Sequence, residues 1–128
     1  MKGSPESEKT VERHLVKQMK SIGGEASKWE CPSRIGKPDR VCEFPKGLVV
    51  FAELKTEGRK PSGPQQREHK RMRDRGQTVV VLDSRKAVDQ FITTYQEIDN
   101  EINVQERIKE CGASTGRERQ EKRTCEGR

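Results

Sequence analysis

The apolar run Leu48-Val49-Val50-Phe51-Ala52 constrains the fold of this chain more than any other segment. A continuous apolar run of this length, bounded by turn residues, is typical of a central strand that is covered on both faces. Hydrophobic residues make up only 28% of the 128 residues, so the core must be built from a few such segments. The length and this clustering predict one compact domain with a polar tail.

The patterns on either side of this run predict three helices and three further strands. Apolar residues at helical spacing predict a first helix over about 7–22, which the pair Gly23-Gly24 ends. A second helix is predicted over about 64–75, and a third follows the capping residue Ser84. The third helix should bury one apolar stripe, formed by Val88, Phe91, Ile92, Tyr95 and Ile98.

Short apolar or alternating segments predict the strands, which we place near 27–31, 39–44, 48–55 and 78–82. The order α-β-β-β-α-β-α predicts an α/β sandwich with a small mixed sheet. Residues 103–128 contain almost no apolar side chains. We therefore expect a folded domain over 1–102 and a polar C-terminal tail over 103–128.

The four cysteines carry no metal-binding spacing, because none belongs to a Cys-x-x-Cys pair. Cys31 and Cys42 are predicted to be small, half-buried strand residues, and Cys111 and Cys125 to be free thiols in the tail.

The chain is basic, with a formal charge of +6 and an isoelectric point near 9.3. Such a surface attracts the phosphates of nucleic acid. No apolar run approaches the roughly 20 residues that cross a bilayer, and residues 1–9 lack the apolar region of a signal peptide. We expect a cytoplasmic protein with a nucleic-acid partner and no membrane partner.

Three charged residues in otherwise apolar strands indicate a chemical site. Asp39 opens the second strand, and Glu53 and Lys55, two positions apart, share one face at the end of the third. The turn at 45–47 folds these strands antiparallel, which places Asp39 beside Glu53. Two like charges at a sheet edge repel, and Mg²⁺ would relieve that repulsion with carboxylate ligands, to which the Leu54 carbonyl could be added.

The segments 36–40, 49–55 and 61–76 resemble a VRR-NUC domain of the PD-(D/E)XK nuclease superfamily, in its stand-alone phage and bacterial form. The resemblance implies a restriction-endonuclease-like fold and a Mg²⁺- or Mn²⁺-dependent, structure-selective DNA endonuclease. Branched DNA such as a Holliday junction is the implied substrate, a homodimer the implied assembly, and the cytoplasm of a bacterial or phage-infected cell the implied compartment.

The resemblance also implies roles for single residues. Asp39 and Glu53 would hold the metal, Lys55 would be catalytic, and Gln65 matches the glutamine that opens the family's following helix. A glutamate of the first helix would complete the site: Glu12 is our first choice, and Glu8, one turn earlier on the same face, stays open.

Basic residues on both sides of this site are candidates for phosphate contacts, and a solvated surface is the alternative reading. Those predicted to bind nucleic acid are Arg34, Lys37, Arg40, Arg59, Lys60 and Arg67. Gln65 also forms a capping box with Ser62. We interpret His14 and His69 as ordinary helix residues, and Trp29 as a packing residue rather than a platform for a base.

Two functional alternatives remain at this point. The chain could be a non-catalytic nucleic-acid-binding module on the same fold, or an enzyme of this fold that acts on RNA. The intact Glu-x-Lys sequence of 53–55 favours the endonuclease.

Overall fold

A computed structural model describes residues 4–102 and residue 108. Most of the predicted tail, with Cys111 and Cys125, therefore lies outside the described residues. Within the described part of the chain, four strands and three helices follow one another in the predicted order. They are α1 (Glu8–Ser21), β1 (Glu25–Lys28), β2 (Arg40–Glu43), β3 (Val49–Leu54), α2 (Gly63–Asp74), β4 (Val79–Leu82) and α3 (85–102).

The four strands form one mixed sheet in the order β1-β2-β3-β4. The first two pairings are antiparallel, and β4 runs parallel to β3. The apolar run therefore occupies an inner strand, as its composition predicts, and the α/β fold class is confirmed. None of the helices within 4–102 combines the length and the apolar content that a bilayer crossing requires.

The main core lies between the sheet and the pair α1 and α3. Val11, Leu15 and Met19 recur every four residues along α1, and all three are fully buried. Alternate residues of β3 meet them, because side chains two apart in a strand share one face. Val88, Phe91 and Ile92 of α3 complete this core, whereas Ile98, which we expected in the same stripe, is 39% exposed.

Helix α2 covers part of the opposite face of the sheet, where Phe51 and Glu53 point. Its buried residues are Glu68, His69 and Met72. The predicted capping box begins this helix: the Ser62 hydroxyl accepts from the Gln65 backbone NH, and the Gln65 side chain accepts from the Ser62 NH.

The first strand begins and ends earlier than predicted. Ala26 is buried and pairs with Cys42, which centres β1 on residues 25–28 and leaves Cys31 in the following loop. Cys42 is fully buried rather than half-buried, and burial raises the pKa of its thiol to about 12. Cys31 is thus half-buried as predicted but not in a strand, and Cys42 is in a strand as predicted but not half-buried.

The long loop between β1 and β2 packs against the beginning of α2. Gly36 has a φ of +88°, and a Cβ there would lie 2.6 Å from the carbonyl oxygen of Pro64. Glycine is therefore required by both the backbone conformation and the close approach. This contact brings the loop that leads into Asp39 against the helix that carries Gln65.

Helix α3 holds the turn between β2 and β3, at the end of the hairpin away from Asp39. The carboxylate of Asp99 is fully buried and accepts hydrogen bonds from the backbone NH groups of Lys46 and Leu48, both at 2.9 Å. These bonds hold the hairpin in the register that pairs Arg40 with Ala52.

Candidate active site

The hairpin register brings Asp39 to Glu53, as the strand pattern predicts. Asp39 stands one residue before the Arg40–Ala52 pair, and its Oδ2 accepts a hydrogen bond from the Leu54 backbone NH at 3.0 Å. The Leu54 side chain is in the core, so only its main chain faces this region. The start of β2 and the end of β3 therefore present two carboxylates at one sheet margin.

Glu53 is the most unusual side chain of this margin, because it is ionisable yet only 1% exposed. Its Oε2 accepts a hydrogen bond from Gln65 Nε2 at 2.8 Å and lies 3.6 Å from Lys55 Nζ. Its Oε1 has no hydrogen-bond partner. Burial, and next the charge of Asp39, raise the pKa of Glu53 to about 7.

Gln65 combines the two roles that its position in the sequence suggests. Its carbonyl oxygen closes the capping box of α2, and its amide nitrogen donates to Glu53. The structural role thus fixes the side chain in the orientation that serves the site. Lys55, 18% exposed, projects from the same face of the strand as Glu53.

His69 belongs to this site, although we interpreted it from the sequence as an ordinary helix residue. It is 1% exposed, and its Nε2 lies 3.7 Å from Glu53 Oε1. Both atoms are buried without a hydrogen-bond partner. Burial, and next the charge of Arg73, lower the pKa of His69, which favours the neutral ring. The available signal was spacing: His69 is four residues after Gln65, on the same helical face.

The two candidate glutamates of α1 have different surroundings. Glu12 binds Arg40, with 2.9 Å between Glu12 Oε2 and Arg40 Nε. Glu8 lies in the first turn of the helix, and its charge helps to raise the pKa of Glu53. This turn is held near the site by Glu6, whose backbone oxygen accepts from the Glu57 NH at 3.1 Å.

The prediction that Arg40 lies in the same groove as the other phosphate-contact candidates is wrong. Arg40 belongs to β2 and pairs with Ala52, so its side chain lies on the α1 face of the sheet. There it donates to Glu12 and to the carbonyl oxygen of Ala26. The predicted strand over 39–44 contains Arg40, but we grouped Arg40 with the loop cations and did not assign its side chain to a face of the sheet.

The remaining predicted nucleic-acid contacts divide into two groups. Arg34 and Lys37 bind the buried carboxylate of Glu68, at 2.9 and 3.0 Å. The other three stand exposed on the loop after β3 and on α2, and they are Arg59, Lys60 and Arg67. Both groups lie on or near elements that contact the Asp39 and Glu53 margin.

The residues of this margin fit a divalent cation, although they do not form a complete ligand shell. Within residues 4–102 and 108, no group of three His, Cys, Asp or Glu side chains is arranged to hold a metal ion. Mg²⁺, however, commonly takes one or two protein carboxylates and completes its octahedron with water and phosphate. Glu53 Oε1 has no hydrogen-bond partner, and the charge of Asp39 acts on the same carboxyl, so a cation bound there would satisfy this oxygen.

Comparison with known proteins decides the family. No family model matches the sequence. A solved structure described as a VRR_NUC domain superposes with a TM-score of 0.66 at 36% sequence identity, covering 70% of this chain and 98% of that one. The chain belongs to the VRR-NUC family. The family membership and fold class predicted from the sequence are thus confirmed.

A phage relative agrees with this VRR-NUC assignment. Over 77 residues the chain is 46% identical to "Putative nuclease p44" of Acyrthosiphon pisum secondary endosymbiont phage 1. The match spans 60% of this VRR-NUC chain and 83% of the phage protein.

Proposed function

We propose that this VRR-NUC protein is a Mg²⁺- or Mn²⁺-dependent endonuclease that hydrolyses phosphodiester bonds in structured DNA, including Holliday junctions. One observation carries the proposal: Glu53 Oε1 is buried without a partner at a margin that also holds Asp39 and Lys55. The family and the nuclease name of its phage relative support the reaction class. The phage relative also supports action in the cytoplasm of a bacterial or phage-infected cell.

Asp39 and Glu53 are the proposed metal ligands, and the Leu54 carbonyl is a third oxygen of the same strand end. Glu8 is the helix-one acid that we now favour, because Glu12 is bound to Arg40. The bound cation would supply Lewis-acid activation of a water molecule and neutralise charge on the scissile phosphate. In our proposal Mg²⁺ and Mn²⁺ are interchangeable at this site, because both prefer oxygen ligands.

The protein's own groups prepare the site for that chemistry. Gln65 holds one oxygen of Glu53 by its hydrogen bond, so the other oxygen keeps a fixed direction. Lys55 brings a cation to the same margin, where it can orient the attacking water or stabilise negative charge that develops on the phosphate. His69 borders the free oxygen of Glu53 and excludes bulk water from that side.

The exposed cations Arg59, Lys60 and Arg67 are the proposed contacts to the DNA backbone near the cleaved bond. We further propose that two copies act as a homodimer, which would bring two sites to the two strands that must be cut at a junction. The sequence resemblance is the basis of this assembly.

A nicking assay tests the proposed reaction. The full chain is incubated with a supercoiled plasmid, a four-way junction, a flap and a linear duplex, in Mg²⁺, in Mn²⁺ and in EDTA. We expect cleavage with either metal, none in EDTA, and a preference for the branched substrates. Asp39→Ala should abolish cleavage, whereas Asp74→Ala, which removes an exposed carboxylate of α2, should leave it intact.

Three outcomes would contradict parts of this proposal. Undiminished cleavage by Asp39→Ala would refute the assignment of the active site. DNA binding without scission in either metal would identify a binding module on the nuclease fold, and a preference for RNA over every DNA tested would change the substrate class.

A further inference from the structure

A groove of about 380 Å³ lies beside the proposed active site, between the C-terminal half of α2 and the β1–β2 side of the sheet. Its volume falls at the lower end of the range for small-ligand sites. The floor is apolar and is formed by Trp29, Phe51 and Met72. The rim is cationic, with Lys37, Arg71 and Arg75.

The aromatic side chains of the floor contact each other and one cation of the rim. The ring centroids of Trp29 and Phe51 are 4.9 Å apart, and Lys37 Nζ lies 4.9 Å from the centroid of the Trp29 ring. The backbone NH of Trp29 donates to the Asp39 carbonyl oxygen at 3.0 Å, which ties this floor to the strand end that carries the active site.

The cations around the groove exceed the nearby negative charge. Glu68 is 5% exposed and binds Arg34, Lys37 and Arg71 together. Arg75 adds a fourth cation from the next turn of the same helical face and is exposed. A single carboxylate holds three of these groups in place, and their excess positive charge suits a phosphate.

The groove is close enough to the active site to hold part of the same substrate. Phe51 and Glu53 are two residues apart on one face of β3, a separation of about 7 Å. A single strand covers that length in one or two nucleotides, even at the stacked spacing of roughly 3.4 Å per base.

From these observations we infer that the groove binds one unpaired nucleotide of the DNA, one or two positions from the cleaved bond. The apolar floor would receive the base and the cationic rim its phosphate. A base inside a duplex is stacked between its neighbours and cannot enter, so the groove selects DNA with an unpaired base, such as a flap or an open junction. This inference rests on the proposed nuclease function and narrows its substrate.

The single tryptophan of the chain makes this groove directly observable. Trp29 fluorescence is titrated, with the full chain in EDTA, using a ten-nucleotide single strand, the same strand in a blunt duplex, and an abasic strand of equal length. We expect quenching by the single strand and little change with the duplex or the abasic strand. The abasic strand carries the same phosphates and should bind about tenfold more weakly.

Two variants test which groups of the groove contribute. Trp29→Leu keeps an apolar side chain against Phe51 and should weaken binding of a labelled single strand about tenfold, measured by anisotropy, while duplex affinity changes less than twofold. Arg75→Ala should weaken single-strand binding about threefold. Lys70→Ala removes an exposed cation of α2 that is paired with Asp74, and should have no effect.

Equal affinity of the normal and abasic strands would overturn the inference, since the groove would then sense charge alone. Trp29 emission that responds to protein concentration and not to DNA would overturn it too, because a second copy would occupy the groove. The binding experiment needs no catalysis, so its outcome is separate from that of the nicking assay. Quenching without cleavage would refute the proposed nuclease function. Cleavage without selective quenching would refute nucleotide binding in the groove.

Discussion

Glu53 and Glu68 are both buried between α2 and the sheet, yet their surroundings act on them in opposite directions. Glu68 is bound by Arg71, Arg34 and Lys37, and these cations lower the pKa of its carboxyl to about 2. Glu53 has Asp39 nearby and one oxygen without a partner, and its pKa rises to about 7. Both side chains are nearly inaccessible to solvent. Burial is the largest cause of the raised pKa of Glu53, whereas the cations bound to Glu68 outweigh the effect of burial on its pKa.

Glu53 and Glu68 thus have different roles, although both are nearly inaccessible to solvent. The negative charge of Glu68 is balanced by cations of the same chain, so it needs no external cation. Glu68 therefore links the β1–β2 loop to α2. The charge on Glu53 is incompletely compensated, which is costly in a folded protein unless an external cation completes it. A perturbed pKa combined with a specific charged neighbour is typical of functional sites.

The largest expected difference between the two acids is in cleavage. Glu53→Gln removes a proposed metal ligand and should lower the cleavage rate about a thousandfold or more, equivalent to about 4 kcal/mol of activation free energy. Glu68→Gln should retain activity within about tenfold. Initial rates on a four-way junction in Mg²⁺ measure both, and equal losses in the two variants would erase the distinction that we draw.

The next effect is on folding. Glu68→Ala leaves three cations without their common carboxylate and should lower the free energy of unfolding by about 3 kcal/mol, at the low end for a broken buried ion pair because Arg34 is 46% exposed. Urea denaturation measures this loss. Asp74→Ala, which breaks the exposed Lys70 pair, is the control and should cost under about 0.5 kcal/mol. An equally small loss of unfolding free energy in Glu68→Ala would contradict the proposal that Glu68 links the β1–β2 loop to α2.

The pH dependence of stability should have opposite signs at the two acids. The raised pKa of Glu53 gives a contribution that is full below about pH 4.5 and is lost as the pH rises through about 7. Glu53→Gln should therefore stabilise the metal-free protein at pH 8, by up to about 3 kcal/mol, and change little at pH 4.5.

The lowered pKa of Glu68 gives a contribution that is present above about pH 4.5 and is lost as the pH falls through about 2. Urea denaturation of wild type and of both Gln variants in EDTA, from pH 2 to 8, compares the two. A wild-type protein that is more stable than Glu53→Gln at pH 8 would show that the charge on Glu53 is compensated after all.

The smallest effect is stabilisation by the metal. A ligand at ten times its dissociation constant stabilises the state that binds it by about 1.4 kcal/mol. Mg²⁺ at such a concentration should raise the melting temperature of the wild type and of Glu68→Gln by a few degrees, but not that of Glu53→Gln. Calcium serves as a second oxygen-seeking cation in the same thermal scan. An equal rise in the Glu53 variant would place the bound ion elsewhere.

The sequence predicted the parts of this molecule that depend on local pattern. Alternation along β3 and the turn at 45–47 were enough to place Asp39 beside Glu53, and the spacing of Ser62 and Gln65 was enough to place the cap of α2. These features depend on strand periodicity and on hydrogen bonds within four residues, which the order of residues determines directly.

Tertiary contacts account for what the sequence missed. Whether Glu8 or Glu12 approaches Glu53 depends on Arg40, whose face is set by where β2 begins. The proximity of His69 to Glu53 depends on how α2 packs on the sheet, and the β1–β2 loop contacts the beginning of that helix where Gly36 meets Pro64. No local periodicity encodes these choices.

The position of Asp99 has a consequence for anyone who recombines or shortens members of this family. The β2–β3 hairpin carries the proposed ligands. Its turn is held by the carboxylate of Asp99 in α3, more than fifty positions away in the chain. A one-residue slip there would turn Asp39 and Glu53 to opposite sides. A chimera that replaces α3 must therefore bring an equivalent clamp with it, even though that helix never meets the nucleic acid in our proposal.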